Sequence, residues 1–146
     1  MILHSLQPGA SQVTCLRLEL ACDLEQVRPM VGKVSAFLTE CGCTQKETAD
    51  AHLALIEACT NAIKHAPEHA KSQNVQIEAW LRPAEFELRV TDHTGGFRWP
   101  TEVSLPHPES EGGRGLFLIR MLMDTVDYLH RPDGNILILR KRRIAL

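Results

Sequence analysis

Three polar side chains recur every four residues along one helix predicted from the sequence: Glu57, Asn61 and His65. Because a step of four residues advances an α-helix by slightly more than one turn, the three side chains share one stripe of its surface. A carboxylate and a carboxamide one turn apart can hold a hydrated Mg²⁺, which prefers oxygen ligands and retains water. The carboxylate can alternatively accept a proton from an attacking hydroxyl group or water. The other interpretation of this stripe is a solvated helix face without chemistry.

A second candidate element comes directly after a predicted strand and reads Thr91-Asp-His-Thr-Gly-Gly-Phe97. Its paired glycines, Gly95 and Gly96, let the backbone approach a ligand closely. Asp92 can accept a hydrogen bond from an exocyclic amine. In isolation, a plain Asp/Gly turn explains the same residues equally well.

The third element is a glycine-rich helix start, Glu111-Gly-Gly-Arg-Gly-Leu-Phe-Leu-Ile119. Such a junction offers free N–H groups and the positive end of the helix dipole to a phosphate. Arg114 adds a fork of hydrogen-bond donors. The spacing fits neither the P-loop nor the dinucleotide-binding glycine motif. The three elements together indicate a ligand site more strongly than any one of them.

The elements that must position these residues follow from periodicity and capping signals. The capping box Thr44-Gln-Lys-Glu47 starts the long helix that carries Glu57. The predicted order is strand, two helices, two strands, loop, helix and two strands: 13–20, 23–41, 44–66, 75–81, 85–91, 92–115, 116–123, 126–130 and 135–141. Consecutive strands favour antiparallel pairs, so the pattern predicts a two-layer α/β sandwich with helices covering one face.

Composition limits the class of protein. The 146 residues, 44% hydrophobic and 23% charged, predict one globular domain spanning 1–146. Apolar runs reach only four residues, far below the roughly 20 of a membrane helix, and no secretory signal is visible. A formal net charge of -2 disfavours direct nucleic-acid binding. The odd count of five cysteines predicts reduced thiols and a cytoplasmic protein. The basic run Arg140-Lys-Arg-Arg143 is either solvated surface or a contact for an acidic partner.

The three elements, in this order, resemble the boxes of the GHKL ATPase superfamily. The pattern Glu57, Asn61, Ala62, His65, Ala66 is similar to its N box, Asp92 to Phe97 to its G1 box, and Gly113-Arg-Gly115 to its G2 box. Within the superfamily, the stretch GRGLFLIRMLMD followed by a VDY strand resembles the anti-sigma factor serine/threonine kinases, or switch-protein kinases. The similarity runs from about Val13 to Lys141.

This resemblance implies a fold and a set of roles. The fold would be the Bergerat sandwich, also called the histidine-kinase-like ATPase fold, with a mixed, mostly antiparallel sheet and helices on one face. Asn61 would hold Mg²⁺ and Glu57 would be the general base, while Asp92 would bind the adenine amino group beside Gly95 and Gly96. The remaining implied ATP-binding residues are His65, Gly113, Arg114, Gly115 and Leu116, and the segment from about Arg98 to Gly113 would form the ATP lid.

One position departs from the superfamily pattern. The G1 box usually reads Asp-x-Gly-x-Gly, and Thr94 occupies the first glycine position here. Either Gly95 takes over the unusual backbone conformation or the Thr94 hydroxyl helps that residue to adopt it. The substitution bears on nucleotide affinity rather than on the fold.

The implied activity is an ATP-dependent protein serine/threonine kinase that also binds its targets in bacterial partner switching. Its implied partners are an anti-sigma factor antagonist of the STAS type and a sigma factor or similar regulator, with a homodimer as the assembly. Two alternatives stay open: a non-catalytic ATP-binding module that sequesters a regulator, and a detached histidine-kinase ATPase domain. No phosphoacceptor-histidine helix precedes the domain in this sequence, which disfavours an intact sensor histidine kinase.

Overall fold

A six-stranded antiparallel sheet forms one layer of the protein. The computed structural model describes residues 5–6, 13–93, 114–132 and 134–144. Along the sheet the strand order is β1-β2-β3-β4-β6-β5, and all five described pairings are antiparallel. In chain order the strands are β1 (Ser5–Leu6), β2 (Thr14–Leu20), β3 (Val75–Leu81), β4 (Glu85–Asp92), β5 (Thr125–Arg131) and β6 (Gly134–Arg142).

Three helices form the second layer: α1 (Val27–Glu40), α2 (Gln45–Lys64) and α3 (Arg114–Leu122). The predicted capping box starts α2, since the Thr44 hydroxyl accepts from the Glu47 amide at 3.1 Å and the Glu47 carboxylate accepts from the Thr44 amide at 2.7 Å. Asp23 caps a short 3-10 turn rather than the α-helix itself. The α-helical part of α1 therefore begins later than the sequence predicts.

Glycine and proline end the first two helices where the sequence places them. Gly42, with φ of +90°, follows the last turn of α1, and its amide donates to Thr39 at 3.1 Å. A residue with a Cβ is strained in this left-handed conformation, which explains glycine at the helix end. His65 is the C-cap residue of α2, and Pro67 follows it two residues later.

The core lies between the helices and one face of the sheet. The α1 side chains that point inward recur at helical spacing and are buried: Val27, Val31, Val34, Phe37 and Leu38. They join alternate strand residues in one cluster, which includes Leu18, Leu20, Ile77, Phe86, Leu88, Val90, Leu137 and Leu139. The two-layer α/β sandwich with helices on one face is therefore confirmed.

Charged and aromatic side chains cover the opposite face of the sheet. The guanidinium groups of Arg17 and Arg89 lie 5.3 Å and 5.4 Å from the ring centre of Trp80. Glu87, only 3% exposed, accepts hydrogen bonds from Arg89 and Arg140, both at 2.6 Å. Burial alone would raise the pKa of Glu87, but the two arginines outweigh it and hold that pKa below its usual value.

The five cysteines are free thiols, as predicted. Burial raises the pKa of Cys59 to about 12, so this thiol is a core residue rather than a nucleophile. Among the helices that the structure describes, none combines the length and apolar character needed to cross a bilayer.

Candidate functional site

Glu57 and Asn61 lie together on the side of α2 that faces the start of α3. Both side chains are half-buried, and buried Ala58 and Ala62 follow them in the helix. A Cβ added to Gly115 would lie 2.6 Å from Oε2 of Glu57 and 3.6 Å from Nδ2 of Asn61. The structure therefore brings the carboxylate and the carboxamide of α2 to the glycine at the start of α3.

A Cβ at position 115 would meet the end of the Glu57 side chain, so a residue larger than glycine here would displace the carboxylate. Gly115 is the second residue of α3. The first N–H groups of a helix have no acceptor within it, so this end can offer donors to a ligand beside Glu57 and Asn61. Leu116 and Ile119 are 6% and 0% exposed and anchor α3 in the core. This arrangement can hold an anionic group next to a carboxylate and a carboxamide.

The third residue of the α2 stripe, His65, lies at the end of the helix. Its amide donates to the Asn61 carbonyl at 3.0 Å, and its side chain is exposed. The structure thus places His65 one turn beyond Asn61, at the residue that caps the C-terminal end of α2.

Asp92 is the last residue of β4 and is half-buried. Its Oδ1 accepts a hydrogen bond from Nδ2 of Asn135 at 2.9 Å. Asn135 is fully buried, and its Oδ1 is bonded in turn to Nδ1 of His130. This chain fixes the orientation of the Asp92 carboxylate, in the way that outer hydrogen bonds hold ligand-binding groups in place.

The backbones around Asp92 are packed too closely for side chains between them. A Cβ on Gly134 would lie 2.3 Å from the carbonyl oxygen of Asp92, so glycine is needed at the start of β6. The pKa of Tyr128 is raised to about 12, mainly by burial and to a lesser extent by the negative charge of Asp92. Burial and, to a lesser extent, the same charge also raise the pKa of Cys22. Both weak acids therefore stay neutral beside Asp92 at physiological pH.

Sequence reasoning missed Asn135 and Gly134. Both belong to the predicted Pro132-Asp-Gly134 turn and the strand after it, where glycine and asparagine are ordinary residues. The pairing of Asp92 with Asn135 across β4 and β6 makes the connection, and it depends on the register of two strands distant in sequence. An asparagine at an inward-facing strand position is the only signal that the sequence carries.

Several predicted site residues lie outside the described part of the chain: Thr94, Gly95, Gly96, Gly113 and the lid segment from Arg98 onward. For Arg114 the structure describes the backbone, which begins α3, and not the side chain.

The described donors suit a magnesium ion that is held mainly by a bound phosphate. No group of three or more His, Cys, Asp or Glu side chains able to hold a metal occurs among the described residues. Glu57 nevertheless presents its carboxylate oxygen Oε2, and Asn61 its carboxamide with Nδ2 nearest, beside the start of α3. Mg²⁺ typically uses one or two protein oxygens together with substrate phosphates and water, so this small donor set fits the ion.

Comparison with known proteins agrees with this geometry. A family model described as a histidine kinase-like ATPase domain matches residues 20–141. The chain is 31% identical over 134 residues to an anti-sigma F factor of Clostridium perfringens, covering 87% of this chain and 95% of the relative. It is 32% identical over 117 residues to the serine-protein kinase RsbW of Halalkalibacterium halodurans, covering 74% and 70%.

A solved structure shares the fold. The structure of the RsbU and RsbW domains of Rv1364c from Mycobacterium tuberculosis superimposes with a TM-score of 0.68 at 20% identity. The superposition covers 90% of this chain and 33% of that longer chain.

Proposed function

Because the chain belongs to the histidine kinase-like ATPase family, alongside anti-sigma F factors and RsbW serine-protein kinases, we propose that it is a protein serine/threonine kinase of bacterial partner switching. In this proposal it phosphorylates an anti-sigma factor antagonist of the STAS type and also binds a sigma factor or similar regulator. The named activities of its relatives support the class of reaction and the kind of partner.

The observation that carries the proposal is the meeting of Glu57, Asn61 and Gly115. A carboxylate, a carboxamide and the N–H groups of a helix start lie at one point, and a Cβ at position 115 would displace the carboxylate. A binding module that used ATP only as a structural ligand would need donors for the phosphates. In such a module a carboxylate would serve only as a magnesium ligand, since its negative charge repels the phosphates, whereas a kinase also uses one to take the proton of the acceptor hydroxyl.

Each residue then has a defined task. Asn61 would hold the Mg²⁺ of Mg-ATP through its carboxamide oxygen, and the start of α3 at Gly115 would donate N–H groups to the phosphates. Asp92, oriented by Asn135, would accept a hydrogen bond from the adenine amino group. Gly95, Gly96, Gly113, Arg114 and Leu116 complete the proposed nucleotide site, with His65 at its edge.

Phosphoryl transfer at this site depends on positioning and charge. When bound, Mg²⁺ would supply neutralisation of the phosphate charge during an in-line transfer. Glu57 would orient the acceptor serine or threonine hydroxyl and take its proton. The half-buried position of Glu57 keeps its carboxylate aimed at the start of α3.

We place the protein in the cytoplasm as a homodimer, in keeping with its free thiols and with the resemblance. In the sheet, β1 is an edge strand, the kind of element through which two chains can pair. Analytical ultracentrifugation with and without Mg-ATP tests the dimer directly.

The nucleotide site is tested by isothermal titration of ATP and Mg²⁺. Asp92→Asn weakens adenine recognition, and Asn61→Ala removes the proposed metal ligand, so each should lower ATP affinity at least tenfold, or about 1.4 kcal/mol. Exposed Asn74→Ala is the matched control and should leave the affinity unchanged. Equal affinity in all four proteins would refute the assignment of both residues.

The kinase activity is tested with labelled ATP and the antagonist protein recovered by ATP-dependent pull-down from the native cell. Glu57→Gln should slow transfer roughly 10²- to 10⁴-fold, the range for general bases. ATP affinity should change far less, because the group acts mainly in the transition state. Glu40→Gln, an exposed residue at the end of α1, is the control.

The label also separates the competing functions. Acid-stable label on serine or threonine supports the proposed kinase, whereas acid-labile phosphohistidine would assign the chain to the detached histidine-kinase domains. Absence of transfer by the wild type, with ATP and partner both bound, would assign it to the sequestering modules.

A further inference from the structure

A second cleft lies at the end of the sheet opposite to Asp92. It is formed where β2 begins, where the β3–β4 hairpin turns and where β6 ends. Its volume is about 310 Å³, and it is lined by Thr14, Cys41, Leu81, Arg82, Pro83 and Arg143. Two guanidinium groups therefore share one cleft with a hydroxyl group.

Arg143 lines this cleft and is held in place by backbone carbonyls. Its amide donates to the Ala84 carbonyl at 2.8 Å, and its guanidinium donates to the carbonyls of Arg82 at 2.8 Å and Cys41 at 3.0 Å. These bonds fix the guanidinium in place, but carbonyl groups carry no net charge. The positive charge of Arg143 is consequently held rigidly and is not neutralised by these bonds.

The other end of the same basic run is paired differently. Arg140 lies 2.6 Å from Glu87 and 2.9 Å from Asp127, and Lys141 lies 3.2 Å from Asp50. Within the described residues, neither Arg82 nor Arg143 has a carboxylate within ion-pair distance. The arginines of the cleft thus differ from their neighbours in lacking an acidic partner there.

Arg82 adds an unused donor to the cleft. Its Nη1 is buried and makes no hydrogen bond in the described structure. A buried N–H of a charged group without an acceptor is costly, and structures seldom leave one unsatisfied. An acceptor bound in the cleft would give this donor a partner once the Arg82 side chain turned toward it.

Burial would raise the pKa of Glu47, but hydrogen bonds from Thr44 and Ile144 and the charge of Arg143 lower it. Glu47 is nevertheless not the ion-pair partner of Arg143. Its Oε1 accepts from the Thr44 amide and its Oε2 from the Ile144 amide, both at 2.7 Å. Because both oxygens of Glu47 are bonded to backbone amides, they leave the remaining N–H groups of the cleft arginines without a carboxylate partner in the described part of the chain.

We propose that this cleft binds the phosphate or carboxylate group of a small ligand, through the guanidinium fork of Arg82, the N–H groups of Arg143 that are not bonded to backbone carbonyls, and the hydroxyl of Thr14. Planar guanidinium forks match these oxyanions with paired hydrogen bonds. The cleft lies at the far end of the sheet from Asp92, so it is distinct from the proposed nucleotide site.

The test is a titration of the isotope-labelled full chain with inorganic phosphate and, separately, with acetate, followed by the backbone amide signals. The amides of Arg82 and Arg143 should shift and saturate with one of these anions, and the anion that saturates them identifies the chemistry. Sodium chloride at equal ionic strength should produce no saturation. The Gly115 amide reports phosphate at the nucleotide site independently.

Arg82→Gln should weaken the saturating anion at least tenfold, because it removes the charge and the fork while the Arg82 backbone bond to Glu85 remains. Arg82→Lys keeps the charge without the fork and should weaken binding to a smaller extent. Arg142→Gln removes an equal charge from an exposed side chain and should leave binding unchanged. Shifts that never saturate, or equal weakening in Arg82→Gln and Arg142→Gln, would overturn the proposal.

Discussion

Gly115→Ala tests whether the close approach of α3 to Glu57 sets the rate of phosphoryl transfer. The added Cβ would lie 2.6 Å from Oε2 of Glu57, short of an ordinary contact by about 0.8 Å. The obstructing atom is the end of a flexible side chain, so the carboxylate can move while the helices stay in place. The added Cβ would lie 3.6 Å from Nδ2 of Asn61, an ordinary contact distance, so Asn61 should stay in place.

The expected result is a loss of rate without a loss of fold. A displacement of about 1 Å at a catalytic group can cost about 10²-fold, so transfer should fall roughly 10- to 100-fold. Thermal stability should hold or rise slightly, since alanine is the better helix former by up to about 1 kcal/mol. ATP affinity, measured by titration calorimetry, should change less than the rate.

A double-mutant cycle tests whether Gly115→Ala acts by displacing Glu57. If Gly115→Ala acts by displacing Glu57, it should have little further effect on transfer in a Glu57→Gln background, because the proton acceptor is already lost. Additive losses would show that the alanine acts on the phosphates instead. An unchanged rate in the single variant would refute the claim that the Glu57 position matters.

Three further outcomes follow from individual contacts. Asn135→Leu removes the donor to Asp92, so ATP affinity in calorimetry should fall about tenfold, and an unchanged affinity would show that Asp92 needs no such support. Glu87→Gln should lower the free energy of unfolding in urea by about 1–3 kcal/mol at neutral pH. Because the folded pKa of Glu87 is lowered, its charge contributes fully above its unfolded pKa of about 4.3 and loses that contribution as pH falls through the folded pKa. The wild-type advantage over Glu87→Gln should therefore shrink in acid, and a pH-independent difference would contradict the charge argument. Arg143→Met should lower the free energy of unfolding by about 1–3 kcal/mol, since it leaves the carbonyls of Cys41 and Arg82 without their donor.

The elements were predictable because their signals are local. Alternation predicts β2, β3, β4 and β6 to within one residue at each end, and the capping box gives the first residue of α2. The start of α1 was wrong for a physical reason: Pro29 lies in its first turn, and the chain forms a 3-10 turn before the α-helix. The two-residue strand β1 is too short for any periodicity to predict it.

The part of the site that depends on local patterns was predictable from the sequence, and the part that depends on strand pairing was not. Helical spacing alone places Glu57 and Asn61 on one stripe, but their close approach to Gly115 depends on the packing of α2 against α3. Asn135 reaches Asp92 through pairing of β4 with β6, strands separated by more than forty residues of sequence. Its role requires knowledge of register, which no local pattern contains.

The same strand that orients Asp92 also fixes the helix that carries Glu57. At its start, β6 provides Asn135 for the Asp92 carboxylate. Where β6 ends, Lys141 lies 3.2 Å from Asp50, and the Ile144 amide beyond it donates to Glu47 at 2.7 Å, both acceptors being in the first half of α2. One continuous strand therefore sets the position of the carboxylate proposed to bind adenine relative to the helix of the proposed base. A site held in this way by a strand and a helix, rather than by loops alone, keeps the spacing of its groups while ATP and partner proteins exchange.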